Sequence, residues 1–482
     1  MGTAYLLKDG TVATWTDNGA KTYKADVLIE GSTITEIAEN ISPRPGVETI
    51  DCKNKWISPG FIDTHRHVWM TVLRGNQDDW LLTEYLVKNS WTIQPAVTPD
   101  DVRIGQLAGC LEALHQGVTT ILDHFHASNS PEHAEAVLDA TIQSGARVVW
   151  APARQSPPTE LFPELRFDNE VDTLKWQVEK LKEWGARDGG KLSKDGRVVL
   201  GLSYDVVGSG GDNTIHQEIN KLARSIPVQV ITAHVVKGPR IFDYRDAGLL
   251  GPDIVFSHCN ELWDHPEPDD EMWAVMKNNG CAIASTPVDE LGMAHGLPVA
   301  FEAVKRGVKC GLGADCLSIN SGDMFGQMRT ALQFTRGMSH ENIHKAKQTP
   351  PLHNEYNSRD AFRLGTLGGA EALNLADQIG TIEVGKKADL LIFNALSTNL
   401  AGIRDPFNGI VFHASDADII TVFVDGEILK RDGKLTKFEW AMVAQELVER
   451  ADILRERFSD TVLEERWQKH YAKSGGPTSW TK

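Results

Sequence analysis

Trp56-Ile57-Ser58-Pro59-Gly60-Phe61-Ile62-Asp63-Thr64-His65-Arg66-His67 is the stretch that decides the fold. It reads as a short buried strand ending in His-x-His. In a strand, residues two apart share a face, so His65 and His67 project together. Two imidazoles on one side are half of a metal site. Two surface histidines after a strand would leave the same trace, since histidine occurs both inside and outside proteins. The setting separates the readings. Pro59-Gly60 closes one segment, apolar residues follow, and the pair sits at the C-terminal end of the strand. That is the face on which parallel α/β barrels carry their chemistry.

Outward from this stretch, strand-like and helix-like runs alternate. Strands are expected at 57–63, 119–123, 147–151, 198–203, 228–233, 254–257, 282–285 and 309–314. Most are continuous apolar runs, as strands buried on both faces should be. Helical segments lie between them, among them 101–115, 131–144 and 170–184. Eight alternating units imply an α/β chain folded as a (β/α)8 TIM barrel. The first 55 residues have a different texture. Tyr5–Leu7, Thr11–Trp15, Asp26–Glu30 and Thr33–Ile37 are separated by Asp-Gly, Asn-Gly and Glu-Gly pairs, which is hairpin grammar. Similar strands return at 388–393 and 419–426, so a small β module formed by both chain ends is expected. The domain reading is 1–55 with 378–437 as that β module, 56–377 as the barrel, and 438–482 as a C-terminal helical extension and tail. A proline-bearing loop is read over 152–168.

The ends of three further strands carry groups able to bind metal or move protons. The fifth ends in Ile231-Thr232-Ala233-His234, the sixth in Phe256-Ser257-His258-Cys259, and the eighth in Gly311-Leu312-Gly313-Ala314-Asp315. In a barrel all of these share a face with His65 and His67.

Pro59-Gly60-Phe61-Ile62-Asp63-Thr64-His65-Arg66-His67 resembles the signature of the amidohydrolase superfamily. The continuation Met70-Thr71-Val72-Leu73-Arg74-Gly75 resembles its branch of cytosine deaminase-like enzymes, S-adenosylhomocysteine deaminases and triazine hydrolases, and the likeness runs to about residue 430. It implies that the terminal β module is a β-sandwich. It also implies that His65, His67, His234 and Asp315 hold a metal and that His258 orients a metal-bound water. Asp315 would pass that water's proton to the leaving group. Nitrogen and oxygen ligands of this mix suit Zn²⁺, with Fe²⁺ as the alternative. Two-metal members carry a carboxylated lysine at the end of the fourth strand. Here that strand ends Leu202-Ser203-Tyr204-Asp205, so one ion per chain is expected. The implied activity is hydrolysis of a C–N bond, by deamination or by amide or lactam opening, in a small cyclic or aromatic compound through a metal-bound hydroxide. The alternatives are a triazine-type hydrolytic dehalogenase and a non-catalytic assembly protein of the same fold.

Two departures from the branch stand out. Its members carry Glu three residues after the fifth-strand His, and this chain has Lys237 there. After the seventh strand, Glu290 stands where Asn is usual. Lys237 is expected to meet either Glu290 or an anionic or carbonyl group of the substrate, which shifts the balance from aminopurine deamination toward other C–N bonds. Trp69, Arg74, Trp80, Met293 and His295 fall in loops that would line the pocket. His124 and His126 follow the second strand and read as structural, since one strand already supplies a His pair.

A net charge of −17 over 482 residues argues against nucleic acid or anionic membrane as partner. A small-molecule substrate and a homo-oligomer are expected. The six cysteines form no Cys-x-x-Cys pair, which suits a reducing, cytoplasmic setting. No basic segment followed by an apolar core opens the chain, and no run of eighteen apolar residues occurs, so neither a signal peptide nor a membrane span is expected.

Overall fold

In the computed structural model, residues 4–154, 158–160, 166–167, 175–205, 213–236, 240–265, 267, 270–348 and 351–473 are described. The barrel closes as read. Its strands are Phe61–His67, Val118–Phe125, Arg147–Pro152, a fourth in two pieces (Val198–Leu200 and Leu202–Ser203), Ile231–Val235, Ile254–His258, Ala282–Ser285 and Lys309–Leu312. All neighbours pair in parallel, and the eighth returns to the first through Leu312 opposite Asp63. A short continuation, Asp315–Cys316, pairs with Arg66 and His67. Both chain ends build one further sheet of nine strands, running from Lys434–Leu435 through Leu390–Asn394 and Lys55–Pro59 to Thr33–Ala38. This is the β-sandwich module, with its own core of Leu7, Val12, Val27, Ile29, Ile57, Leu390, Ile392 and Phe423.

Several boundaries differ from the sequence reading, each for a physical reason. The strand read at 57–63 is two strands. Lys55–Pro59 pairs with Leu390–Asn394 in the sandwich, and the barrel begins at Phe61. Gly60 is the switch. Its N–H donates to the Asp389 carbonyl at 2.9 Å, and a Cβ there would lie 2.1 Å from Thr119 Oγ1, so only glycine lets the first two barrel strands meet. The strands read at Tyr5–Leu7 and Thr11–Trp15 are one strand, Ala4–Thr16, whose register shifts between Leu7 and Gly10. Asp9 sits there in the left-handed region (φ 61°), and its N–H donates to Asp26 Oδ1 at 2.8 Å. The Asp-Gly read as a turn is therefore a bulge. The fifth strand runs to Val235, which places His234 inside it. The helical extension read after 437 is two helices, Trp440–Arg457 and Asp460–Lys473, broken at Phe458-Ser459. They are tied to the barrel by Arg450 to Asp101 at 2.7 Å and Lys88 to Glu464 at 3.1 Å. Much of the 152–168 loop, and the tail after 473, lie outside the described residues. No helix among the described residues is long and apolar enough to cross a membrane.

One buried ion pair couples the barrel to the sandwich. Arg147, at the start of the third barrel strand, donates from Nε to Asp389 Oδ2 at 2.9 Å and from a terminal nitrogen to Asp389 Oδ1 at 3.0 Å. Asp389 also accepts the Asp425 N–H at 2.6 Å. Removing one partner of such a pair leaves a buried charge uncompensated, at a cost of about 3–5 kcal/mol. Asp389→Ala should therefore move the urea midpoint well below that of the parent. The double replacement Arg147→Met with Asp389→Leu should recover part of the loss. Equal midpoints for Asp389→Ala and the parent would show that the pair does not couple the modules.

Candidate functional site

The sequence candidates at the ends of the first, fifth, sixth and eighth strands converge. His65, His234, His258 and Asp315 each offer one ligand atom, and these atoms lie within 4.8 Å of one another. Asp315 Oδ1 is 3.2 Å from His65 Nε2 and 3.2 Å from His67 Nε2. His258 Nε2 lies 3.7 Å from Asp315 Oδ2, and His234 Nε2 lies 3.3 Å from His67 Nε2. His65, His67, His258 and Asp315 are buried, and His234 is partly so.

The backbone is bent to achieve this. His258 and Asp315 both adopt positive φ, 74° and 60°, a region that costs a non-glycine residue on the order of 1–3 kcal/mol. Gly313 makes room for the return of the eighth strand, since a Cβ there would lie 2.6 Å from the His65 carbonyl oxygen.

The outer nitrogen of each imidazole is anchored. His67 Nδ1 is 2.7 Å from the His124 carbonyl oxygen, which can only accept, so His67 carries its proton on Nδ1. His234 Nδ1 is 3.0 Å from Asp205 Oδ2 and likewise donates. Ser257 Oγ is 2.8 Å from His65 Nδ1, and Thr286 Oγ1 is 3.0 Å from His258 Nδ1. The Nε2 atoms of His67 and His234 are thus bare lone pairs facing each other and the Asp315 carboxylate. His65 Nε2 is buried without a hydrogen-bond donor. Burial holds the pKa of His65 and of His258 well below the usual histidine value, so both are neutral, as an imidazole that binds metal must be. Burial alone would raise the Asp315 carboxyl, but the facing histidines, His258 first, hold it well below the usual range. Lone pairs and a carboxylate turned on one point repel one another unless a cation lies among them. His65, His67, His234 and Asp315, with His258 beside them, fit a divalent metal.

The remaining candidates divide. His295 is buried with its ring centroid 4.6 Å from that of His258, and neither of its ring nitrogens has a hydrogen-bond partner among the described residues. Burial lowers its pKa to about 4, so it is a neutral donor and acceptor. Met293 is buried, and its carbonyl accepts the Leu82 N–H at 2.9 Å. Glu290 is fully buried. It accepts the Thr286 N–H at 2.8 Å and Ser285 Oγ–H at 3.1 Å, and it lies 3.7 Å from His258 Nδ1. Burial pushes its carboxyl up to about 8. Trp69 is buried, with its indole N–H donating to His126 Nδ1 at 3.2 Å. Trp80 is half-buried beside the Lys88 ammonium. Arg74 is exposed and pairs with Glu112. Lys237 lies outside the described residues.

Asp205, which carried no role in the sequence reading, lies at the centre with His124 and His126, which were read as structural. Asp205 accepts both the His234 N–H and side chain, and His124 Nε2 lies 3.1 Å from Asp205 Oδ2. His126 lies against His67 with ring centroids 4.0 Å apart and the planes tilted by 35°. The signal for Asp205 was its place at the end of the fourth strand, where a lysine was sought and a carboxylate was present.

The fold agrees with what known proteins show. Residues 56–202 and 199–429 match the amidohydrolase family. The 5'-deoxyadenosine deaminase of Methanosarcina mazei is 27% identical, over 93% of this chain and 98% of its own length. The 5-methylthioadenosine/S-adenosylhomocysteine deaminase of Thermococcus kodakarensis is 30% identical, over 84% of this chain and 89% of its own. Among solved structures, an adenosine deaminase from Xanthomonas campestris with bound zinc superposes with a TM-score of 0.77 at 20% identity, covering 94% of this chain and 99% of that one. An atrazine chlorohydrolase from Arthrobacter aurescens, complexed with zinc, gives 0.78 at 21%, covering 93% and 100%. A family match over more than half the chain, on a barrel whose strand ends gather three imidazoles and a carboxylate, makes this protein a member of the amidohydrolase family, whose enzymes are metal-dependent hydrolases of C–N bonds.

Proposed function

We propose that the chain is a single-metal hydrolase that removes an amino group from a small nitrogen heterocycle, releasing ammonia, with zinc as its metal. The observation that carries this is the arrangement of bare Nε2 atoms and one carboxylate around a single point. The deaminase names of the relatives, aligned over nearly their whole length, favour deamination over amide or lactam opening.

His65, His67, His234 and Asp315 would hold the metal, which when bound supplies the Lewis acidity that readies a water to act at neutral pH. The chain's own residues do the rest. Asp315 uses Oδ1 toward His65 and His67 and keeps Oδ2 toward His258, so one of its oxygens is placed to take the water's proton. The proton then passes to the leaving amine. As the C–N bond breaks, the carbon takes the oxygen and ammonia departs. His258 orients the water from the other side. Its Nδ1 faces Thr286 Oγ1, whose residue is itself fastened to Glu290 through the backbone. His295 supplies a donor and an acceptor to the substrate, because its two nitrogens have no other use in the described structure. With Lys237 where the branch has a glutamate, Asp315 is the proton carrier, and the substrate is one whose ring needs no second acid or bears a carbonyl or anionic group. The six cysteines are free and buried, which supports a cytoplasmic enzyme.

Three outcomes test the reading. Metal analysis of the purified protein should find about one ion per chain, mainly zinc, and two tightly held ions would contradict the single-metal site. A screen of aminoheterocycles, lactams and acyl-anilides, scored for ammonia and for product, should give turnover on an aminoheterocycle. On that substrate Asp315→Asn and His258→Asn should each lower kcat by roughly 10²–10⁴-fold, with metal still bound in the His258 variant. An Asp315→Asn enzyme that keeps a tenth of parental activity would remove the mechanism. Finally, His295→Leu should raise KM while leaving metal content unchanged, and an unaltered KM would take His295 out of the substrate contact.

A further inference from the structure

Asp205 and His124 have no part in the reaction described above, yet they lie against two of its metal ligands. Asp205, just beyond the fourth strand, spends both oxygens on histidine. Oδ1 accepts the His234 backbone N–H at 2.8 Å, and Oδ2 accepts His234 Nδ1–H at 3.0 Å. The same Oδ2 is 3.1 Å from His124 Nε2, so His124 carries its proton there. His124, on the second strand, also turns its carbonyl oxygen to His67 Nδ1 at 2.7 Å. Its ring centroid is 4.2 Å from that of His234 and 5.3 Å from that of His67.

One chain of contacts therefore runs from His67 through the His124 carbonyl, along the same residue to its ring, and on through Asp205 to His234. At each end the contact demands that the ligand's Nδ1 carry the proton, which leaves Nε2 bare. We propose that Asp205 is a positioning residue for the metal site and that Asp205 and His124 together form a bracket presenting the Nε2 atoms of His67 and His234 to one metal ion. The inference rests on the reading of His67 and His234 as metal ligands. Carboxylates and carbonyls behind metal-bound imidazoles fix tautomer and ring orientation, and their loss typically lowers metal affinity 10–100-fold.

The bracket differs from a second metal site. His124, Asp205 and His234 lie close enough to hold a cation of their own. For that, His234 would have to give up the Nδ1 proton that its carboxylate partner accepts, and His124 would have to give up the Nε2 proton. The two N–H donors already satisfy Asp205.

The test measures metal binding and needs no substrate. The full-length protein is stripped with a chelator, and Zn²⁺ is titrated against a competing fluorescent chelator. Asp205→Asn replaces one oxygen acceptor with an amide nitrogen that donates, so either the two imidazoles that share Oδ2 or the His234 backbone N–H must lose its acceptor. Its Zn²⁺ affinity should fall 10–100-fold, and the thermal midpoint should respond less to added Zn²⁺ than that of the parent. His124→Leu, which leaves Asp205 bound to His234, should cause a smaller fall. His124→Gln, which restores a side-chain N–H, should recover part of it. If Asp205→Asn does not fold, the two His124 variants decide. Parental affinity in Asp205→Asn, or in both His124 variants, overturns the bracket while leaving the functional reading intact. A second tightly held ion, lost on His124→Leu, replaces the bracket with a second metal site. A parent protein that fails to bind Zn²⁺ takes down both readings.

Discussion

Everything in this molecule serves one electrostatically awkward arrangement. Bare imidazole nitrogens of His67 and His234 stand 3.3 Å apart, and a carboxylate oxygen of Asp315 lies 3.2 Å from His65 and from His67. Buried like-ended groups repel, and a protein keeps them so only where a cation is to be received. Protonating a histidine would relieve the crowding, and at His65 and His258 burial works against it. At His234 burial acts in the same direction, but the Asp205 carboxylate outweighs it and raises the value, while the Nδ1 contacts of His67 and His234 keep a proton on the outer nitrogen of each ring. The site is therefore prepared before any metal arrives.

Such preparation needs a rigid frame, and the barrel supplies it by closure. His65, His67 and Asp315 belong to strand one and to the continuation of strand eight, which are far apart in sequence and adjacent in the sheet. Their separation is set by backbone pairing rather than by side-chain choice, and at Gly313 a Cβ would lie 2.6 Å from the His65 carbonyl oxygen. The positive φ values of His258 and Asp315 show that strand geometry alone does not aim these side chains. The fold carries local strain at the two residues given the proton-handling and water-orienting roles, and the surrounding packing absorbs it.

The sequence announced the parts of this design that depend on period and position. Eight apolar runs implied the barrel, and strand C-termini bearing His or Asp located the residues around the metal point. What it did not announce depends on contacts between distant segments. Gly60 looks like the end of a turn and is in fact the crossing from one sheet to another, a fact that resides in Thr119. Asp9-Gly10 has the composition of a hairpin turn and forms a bulge, because Asp26 captures the Asp9 N–H. His124 looked redundant beside His65 and His67 because a count of ligands ignores what must stand behind them. Only the three-dimensional structure shows that its ring meets Asp205, the partner of His234, while its carbonyl meets His67.

Glu290 carries the argument one step further. From sequence it was an acid in a loop, free to lean across the barrel mouth toward Lys237. In the structure it has no exposure, and both oxygens are committed, one to the Thr286 N–H and the other to Ser285 Oγ. Its carboxyl, pushed up to about 8 by burial, fastens the turn that carries Thr286, and Thr286 in turn faces His258. The departure from the branch pattern at this position thus acts inward, on Thr286 and through it on His258. A buried carboxyl whose two oxygens are already bonded needs no further partner, whereas His295 keeps both ring nitrogens unbonded among the described residues.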